Sequence, residues 1–164
     1  MPTLIAKCPA GGNQQSLTTG YRFRALLPSD LEAVGSLYFS AYEPGVACAT
    51  LDDAMADIAD SFAGEYGPLD LESSLVALDV HGELVGAVLV VDRAPWPDTP
   101  NCPFVIELFS AHEHRRRGIA TALVCEMMHH LSTSGSNQVS LRVAEENVAA
   151  LKLYEQLGFC EWIS

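Results

Sequence analysis

Seven consecutive residues, Arg115-Arg116-Arg117-Gly118-Ile119-Ala120-Thr121, lie between an apolar run, Phe104 to Phe109, and a long amphipathic segment, Ala120 to Leu131. A strand, a basic turn with one glycine and a helix, in that order, build an anion site. The first amides of a helix have no intrahelical acceptor, and the helix dipole puts partial positive charge at the same end. Gly118 carries no Cβ, so a bulky anion can approach the backbone there. The arginines add fixed charge, and a pyrophosphate suits such a turn. The run stands out because the chain is acidic: 9 Lys and Arg against 21 Asp and Glu, a net charge of −12. That balance argues against nucleic acid or an anionic membrane as partner and suits a cationic acceptor.

A length of 164 residues with 49% hydrophobic content supports a single well-packed domain. Residues 1–20, with Gly11-Gly12 and a Ser/Thr cluster, read as a flexible N-terminal leader, leaving 21–164 as the domain. The longest apolar run, near Leu84 to Val91, is too short to span a membrane. The N-terminus lacks the features of a signal peptide, so a cytoplasmic location is expected. The 5 cysteines are scattered and none forms a C-x-x-C pair, which speaks for free thiols and no metal site.

Tyr21 to Ala25 alternates as a first strand. Pro28-Ser29-Asp30 opens a helix capped by Ser29 or Asp30, with Leu31, Val34, Leu37 and Tyr38 inside and an end near Tyr42. Thr50 or Asp52 caps a second helix running to about Gly64. Met55, Ile58, Ala59 and Phe62 are expected inside it, with Asp53, Asp57 and Asp60 in solvent; an amine-binding rim is the lesser reading of that acidic row. Ser74–Val80 and Leu84–Asp92 form a hairpin around His81-Gly82. Four prolines between Pro95 and Pro103 exclude a helix from the next loop. Phe104 to Ser110 is the fourth strand. The third long helix, to Leu131, buries Ile119, Leu123, Val124, Met127, Met128 and Leu131. Gln138 to Val143 is a fifth strand, Asn147 caps a fourth helix that Gly158 ends, and Phe159 to Ile163 is a last strand. The order β-α-α-β-β-β-α-β-α-β predicts a mixed α/β (α+β) fold with a parallel crossover from Phe104 to Val143.

Two motifs stand in sequence: Arg115-x-x-Gly118-x-Ala120 after a strand, then Asn147-x-x-Ala150-x-x-Leu153-Tyr154-x-x-x-Gly158-Phe159. Together they resemble the GNAT superfamily of acyl-CoA-dependent N-acetyltransferases. The first resembles its Q/R-x-x-G-x-G/A signature and the second its asparagine-to-Gly-Phe segment. The resemblance runs from Tyr21 to the end and is sharp from Ile106 to Phe159. It implies a central mixed β-sheet flanked by helices, whose fourth and fifth strands splay apart to admit acetyl-CoA.

The resemblance further implies that the backbone amides of Arg116, Arg117, Gly118, Ile119, Ala120 and Thr121 hold the pyrophosphate. The side chain of Arg115 or Arg117 would lie near the phosphates, whereas Arg116 suits solvent equally well. Leu108, Phe109 and Ser110 would offer strand-edge groups to the pantetheine, with an N–H of Phe109 or Ser110 facing the thioester carbonyl. Asn147 would contact the pantetheine arm and also reads as a plain N-cap. Tyr154 matches the general acid, a phenol that keeps its proton at neutral pH. Glu107 is the best base candidate, a carboxyl whose pKa burial should raise; pairing with a nearby cation, or a place at a bulge facing solvent, is the competing reading. His112 and His114 read as surface residues. Ser110 replaces a more usual valine, and Ala120 the more frequent glycine.

The implied reaction is direct acetyl transfer from acetyl-CoA to an amine in a ternary complex, since no cysteine or serine sits in a nucleophile setting. No metal is called for. The acceptor, a small-molecule or peptide amine, would be held by residues 38–53 and the loop around Trp96. The alternative is a non-catalytic CoA-binding regulatory module, which keeps the turn and leaves Tyr154 idle. The family has a seventh strand after the sixth, yet Ser164 ends this chain there. Either that strand is absent, a neighbouring subunit supplies it in a homodimer, or the chain is cut short; an unpaired edge invites pairing.

Overall fold

A computed structural model describes residues 1–9, 20–43 and 45–164. The elements are β1 (Thr3–Lys7), β2 (Arg22–Ala25), α1 (Leu31–Ala41), α2 (Leu51–Ala63), β3 (Leu75–Leu78), β4 (Leu84–Val91), β5 (Phe104–Ser110), α3 (Ile119–Thr133), β6 (Gln138–Arg142), α4 (Val148–Gln156) and β7 (Cys160–Glu161). The strands form one seven-stranded sheet in the order β2-β3-β4-β5-β6-β1-β7. The β5–β6 pair is parallel, as the crossover predicted; the other pairs are antiparallel.

The first strand corrects the expected leader. β1 pairs with β6 from Thr3–Arg142 to Lys7–Gln138 and on its other side with Cys160 and Glu161 of β7. Leu4 and Ala6 are buried in the core. The rest of the expected leader, residues 10–19, lies outside the described residues. The chain's own first strand fills the slot between β6 and β7, and the open edge that argued for a homodimer is paired. A five-residue run carries no local sign of this, because Arg142 lies 139 positions away from Thr3.

Helix α2 also sits differently from its expected orientation. Its buried residues are Ala54, Ile58 and Ser61, and Asp57 is half-buried between them while Asp53 and Asp60 stay exposed. The helix packs closely on α1 at Gly35, where an added Cβ would come 2.5 Å from the Met55 sulfur. That contact fixes the rotation and turns Asp57 inward. Thr50 caps the helix by accepting from the Asp53 amide at 3.1 Å, and Gly64 ends it with φ 88°.

Two features prepare the site. Helix α3 buries the six residues expected of it together with Ala122. It lies directly on β4, where a Cβ on Gly86 would meet Ile119 Cγ2 at 2.9 Å and Leu123 Cδ1 at 3.2 Å. Strand β5 carries an irregularity: its register against β4 shifts between Leu89–Glu107 and Val90–Val105, leaving Ile106 as the extra residue. A bulge bends its strand. Among the described residues, β5 meets β6 at Phe104–Ser140 and Val105–Leu141. Past that point the two strands separate, so the C-terminal half of β5 is free of its neighbour on that side.

Candidate active site

The gap left by the splay is a cavity of about 350 Å³. Its walls are Ala41 and Tyr42 at the end of α1, Val105 to Ser110 of β5, Leu141 to Ala144, and Asn147, Ala150, Leu153 and Tyr154 at α4. A second hollow of about 770 Å³ lies over Arg116 and Gly118 to Thr121. Ser110, Arg115, Ala120 and Leu153 wall both, so the two are contiguous. A channel therefore runs from the basic turn to the bent part of β5.

The turn itself is shaped by left-handed backbone. Arg116 has φ 63° and Gly118, the residue before α3, has φ 78°. Reversals of backbone hand bring successive N–H groups toward one concavity, a nest suited to anions. The first-turn amides of α3 add to it. For Gly118 the requirement is thus conformational as well as spatial. A non-glycine residue such as Arg116 in this region carries strain of about 1–3 kcal/mol, the kind that gathers at functional turns.

The three guanidinium groups part company. Arg115 donates to the Ala41 carbonyl at the end of α1. Arg117 reaches the Tyr21 hydroxyl at 3.3 Å, which in turn bonds His114 Nδ1 at 2.7 Å. Arg117 walls a separate hollow with Tyr21, Asp79 and His81. Arg116, for which solvent was an equal alternative, walls the hollow over the turn together with Arg115, and its side chain is exposed. His112 is exposed, as expected, whereas His114 is half-buried against Tyr21.

Glu107 and Tyr154 both wall the splay cavity. Burial, then the Asp57 charge, pushes the Glu107 carboxyl up to about 8 against the nearby Tyr38 hydroxyl, which works the other way. The ion pairs formed among the described residues are Arg24–Asp30 and Arg142–Asp98. Glu107 belongs to neither pair, and the bulge at Ile106 adjoins it. Burial, then the Glu107 charge, pushes the Tyr154 phenol up to about 12. Its ring packs edge-on against Phe159 at 5.4 Å. Leu108, Phe109 and Ser110 wall the same cavity. Asn147 does too, while its Oδ1 accepts from the Ala150 amide at 3.1 Å, so it is an N-cap at the cavity rim.

Sequence reasoning put Tyr38 and Tyr42 within the acceptor span, but it did not join them, or Asp57, to Glu107. Tyr42 walls the cavity and donates to the Leu108 carbonyl at 3.5 Å. Tyr38 packs on Phe109 at 5.4 Å and on Tyr42 at 5.8 Å. Asp57 accepts from the Tyr66 hydroxyl at 2.7 Å. The signals were two tyrosines four apart across the end of α1 and one aspartate in an acidic row, each more ordinary as core or surface. Trp96, weighed as an acceptor wall, packs instead on Phe104 at 5.6 Å under the Arg142 guanidinium.

The sheet is thus splayed at one strand pair, with a basic left-handed turn at one end of the gap and a carboxyl and a phenol at the other. The model of the Acetyltransferase (GNAT) family matches residues 32–159, and the chain belongs to that family. It is 29% identical over 150 residues to a mycothiol acetyltransferase of Paenarthrobacter aurescens, covering 89% of this chain and 44% of that protein. It is 32% identical over 91 residues to N-alpha-acetyltransferase 30 of Schizosaccharomyces pombe, covering 56% and 59%. The chain thus spans less than two thirds of each of these relatives. Among solved structures, a GCN5-related N-acetyltransferase from Sphaerobacter thermophilus superposes with a TM-score of 0.74 at 21% identity, over 98% of this chain and 48% of that one. AAC(6')-Iy in complex with a CoA-S-monomethyl-acetylneamine bisubstrate analog superposes with a TM-score of 0.66 at 20% identity, over 88% and 93%. These likenesses show the fold.

Proposed function

We propose that this chain is an N-acetyltransferase that moves an acetyl group from acetyl-CoA to an amine by direct attack in a ternary complex. The observation that carries the reading is that Glu107 and Tyr154 face one cavity continuous with the anion turn. The names of the relatives and of the bisubstrate complex support a CoA-type donor and an amine acceptor.

The amides from Arg116 to Thr121 hold the pyrophosphate, with the Arg116 charge alongside. The freed edge of β5 at Leu108, Phe109 and Ser110 takes the pantetheine arm, with Asn147 across from it. An N–H of Phe109 or Ser110 polarises the thioester carbonyl, a contact worth most as charge develops on that oxygen. An amine with a pKa of roughly 10 enters protonated. Ionised Glu107 takes one proton, the freed nitrogen forms a bond to the carbonyl carbon, the C–S bond breaks as the Tyr154 phenol gives its proton to the departing thiolate, and the acylated nitrogen gives its remaining surplus proton to water. The two side chains return to their starting states by exchanging protons with solvent. The acceptor is a small-molecule or peptide amine, and the reaction belongs to the cytoplasm.

The test is a panel of primary amines with acetyl-CoA, following free thiol. Turnover is expected, and Tyr154→Phe should lower kcat by about 100-fold or more. Saturable CoA binding without thiol release from any amine would leave the non-catalytic module standing instead. An undiminished kcat in Tyr154→Phe would remove the phenol from the mechanism.

A further inference from the structure

Arg115 is the first residue of the basic turn, and its side chain leaves that turn. Its guanidinium donates to the carbonyl of Ala41, the last residue of α1. The carbonyls of a final helical turn have no intrahelical donor, and a cation there also meets the negative end of the helix dipole. The helix stops at this point: Tyr42 follows with extended backbone, φ −105° and ψ 163°. Tyr42 turns its ring against Tyr38 and Phe109 and its hydroxyl toward the Leu108 carbonyl. Arg115 therefore touches the helix end that aims Tyr42 into the splay cavity, and it walls both that cavity and the anion hollow.

We infer that Arg115 is a positioning residue which fastens the end of α1, and with it Tyr42, to the anion turn, and so shapes the acceptor wall instead of binding the donor's phosphates. This role rests on the N-acetyltransferase reading for its acceptor side. Two further observations favour it. The concavity of the turn is made by backbone, with the left-handed residues at Arg116 and Gly118 following Arg115. The charge of Arg115 acts on Tyr42, where it opposes the upward push of burial and of Glu107. A planar guanidinium holds several N–H donors in a fixed fork, so it braces a helix end better than a single ammonium. Lysine at this position keeps the charge and loses most of the brace.

The test uses the full chain with CoA as probe. Three readouts are compared in wild type, Arg115→Ala and Arg115→Lys: CoA affinity by calorimetry, amide exchange of residues 38–43 by mass spectrometry, and KM and kcat for an amine found in the panel. Arg115→Ala should bind CoA within about threefold of wild type, and its 38–43 amides should exchange at least about tenfold faster. Its amine KM should rise about tenfold with kcat at saturation little changed. Arg115→Lys should recover part of the exchange protection. Unchanged exchange in Arg115→Ala, or a loss of CoA affinity of tenfold or more, would overturn the inference. If wild type turns over no amine, the proposed function fails, while exchange and CoA affinity still decide whether Arg115 braces α1.

Discussion

The donor half and the acceptor half of the channel are built from different materials. The donor half is largely backbone: the left-handed turn at Arg116 and Gly118, the first amides of α3, and the freed edge of β5. The proposed acceptor half is side chains brought in from separate elements: Tyr38 from α1, Tyr42 just past its end, Asp57 from α2, Tyr66 beyond it, and Glu107 from β5. Backbone geometry is specified by short local patterns, and one phosphate chemistry suits it. Side-chain geometry is specified by packing and can be varied one residue at a time. Such a division lets a fold keep its donor and change its acceptor.

The largest expected effect tests the donor half. Gly118→Val places a β-branched residue at φ 78°, a conformation that costs about 1–3 kcal/mol. CoA affinity measured by calorimetry should fall by about ten- to hundredfold; an unchanged affinity would show that the bound turn does not need this backbone. The next effect tests the acceptor half. In the free protein the Glu107 carboxyl should titrate near the value of about 8 to which burial lifts it. Asp57→Asn removes a like charge and should move that midpoint down, measured by NMR of isotope-labelled carboxyl groups. A midpoint that stays put would separate Asp57 from the site. The sign carries over to activity and stability. Base catalysis needs the ionised form, so the rate should climb as pH rises through that midpoint. The protonated form favours the fold, because the folded pKa lies above the unfolded one. Its contribution is full below the usual carboxylate range and lost as pH rises through about 8. The smallest effect returns to the turn. Arg116→Gly relieves a strained φ of 63°, partly offset by the entropy of glycine. A rise in Tm of about 1–3 °C is expected by calorimetry; a fall would mean that Arg116 is not strained.

The order of elements from Arg22 onward, the hairpin, the parallel β5–β6 pair and the α3 core were all legible in the sequence. Periodicity and glycine placement are local and survive without tertiary information. Gly158 was read as the end of α4, and it has φ 92° there. Asp57 was placed in solvent, yet it borders the buried face formed by Ala54, Ile58 and Ser61, and its half-burial follows from how α2 docks on α1 at Gly35 beside Met55. The Arg115 side chain was grouped with its neighbours in sequence, though its partner lies 74 positions away.

By itself the sequence determined that a strand–turn–helix would present amides to an anion, because capping, dipole and glycine conformation act over a few residues. Only the tertiary structure decided that Thr3–Lys7 completes the sheet between β6 and β7, that the arginines of the turn point to different places, and that Asp57 stands behind Glu107. Strand pairing and helix docking join residues far apart in the chain, and the free energy that selects among them lies in burial and fit.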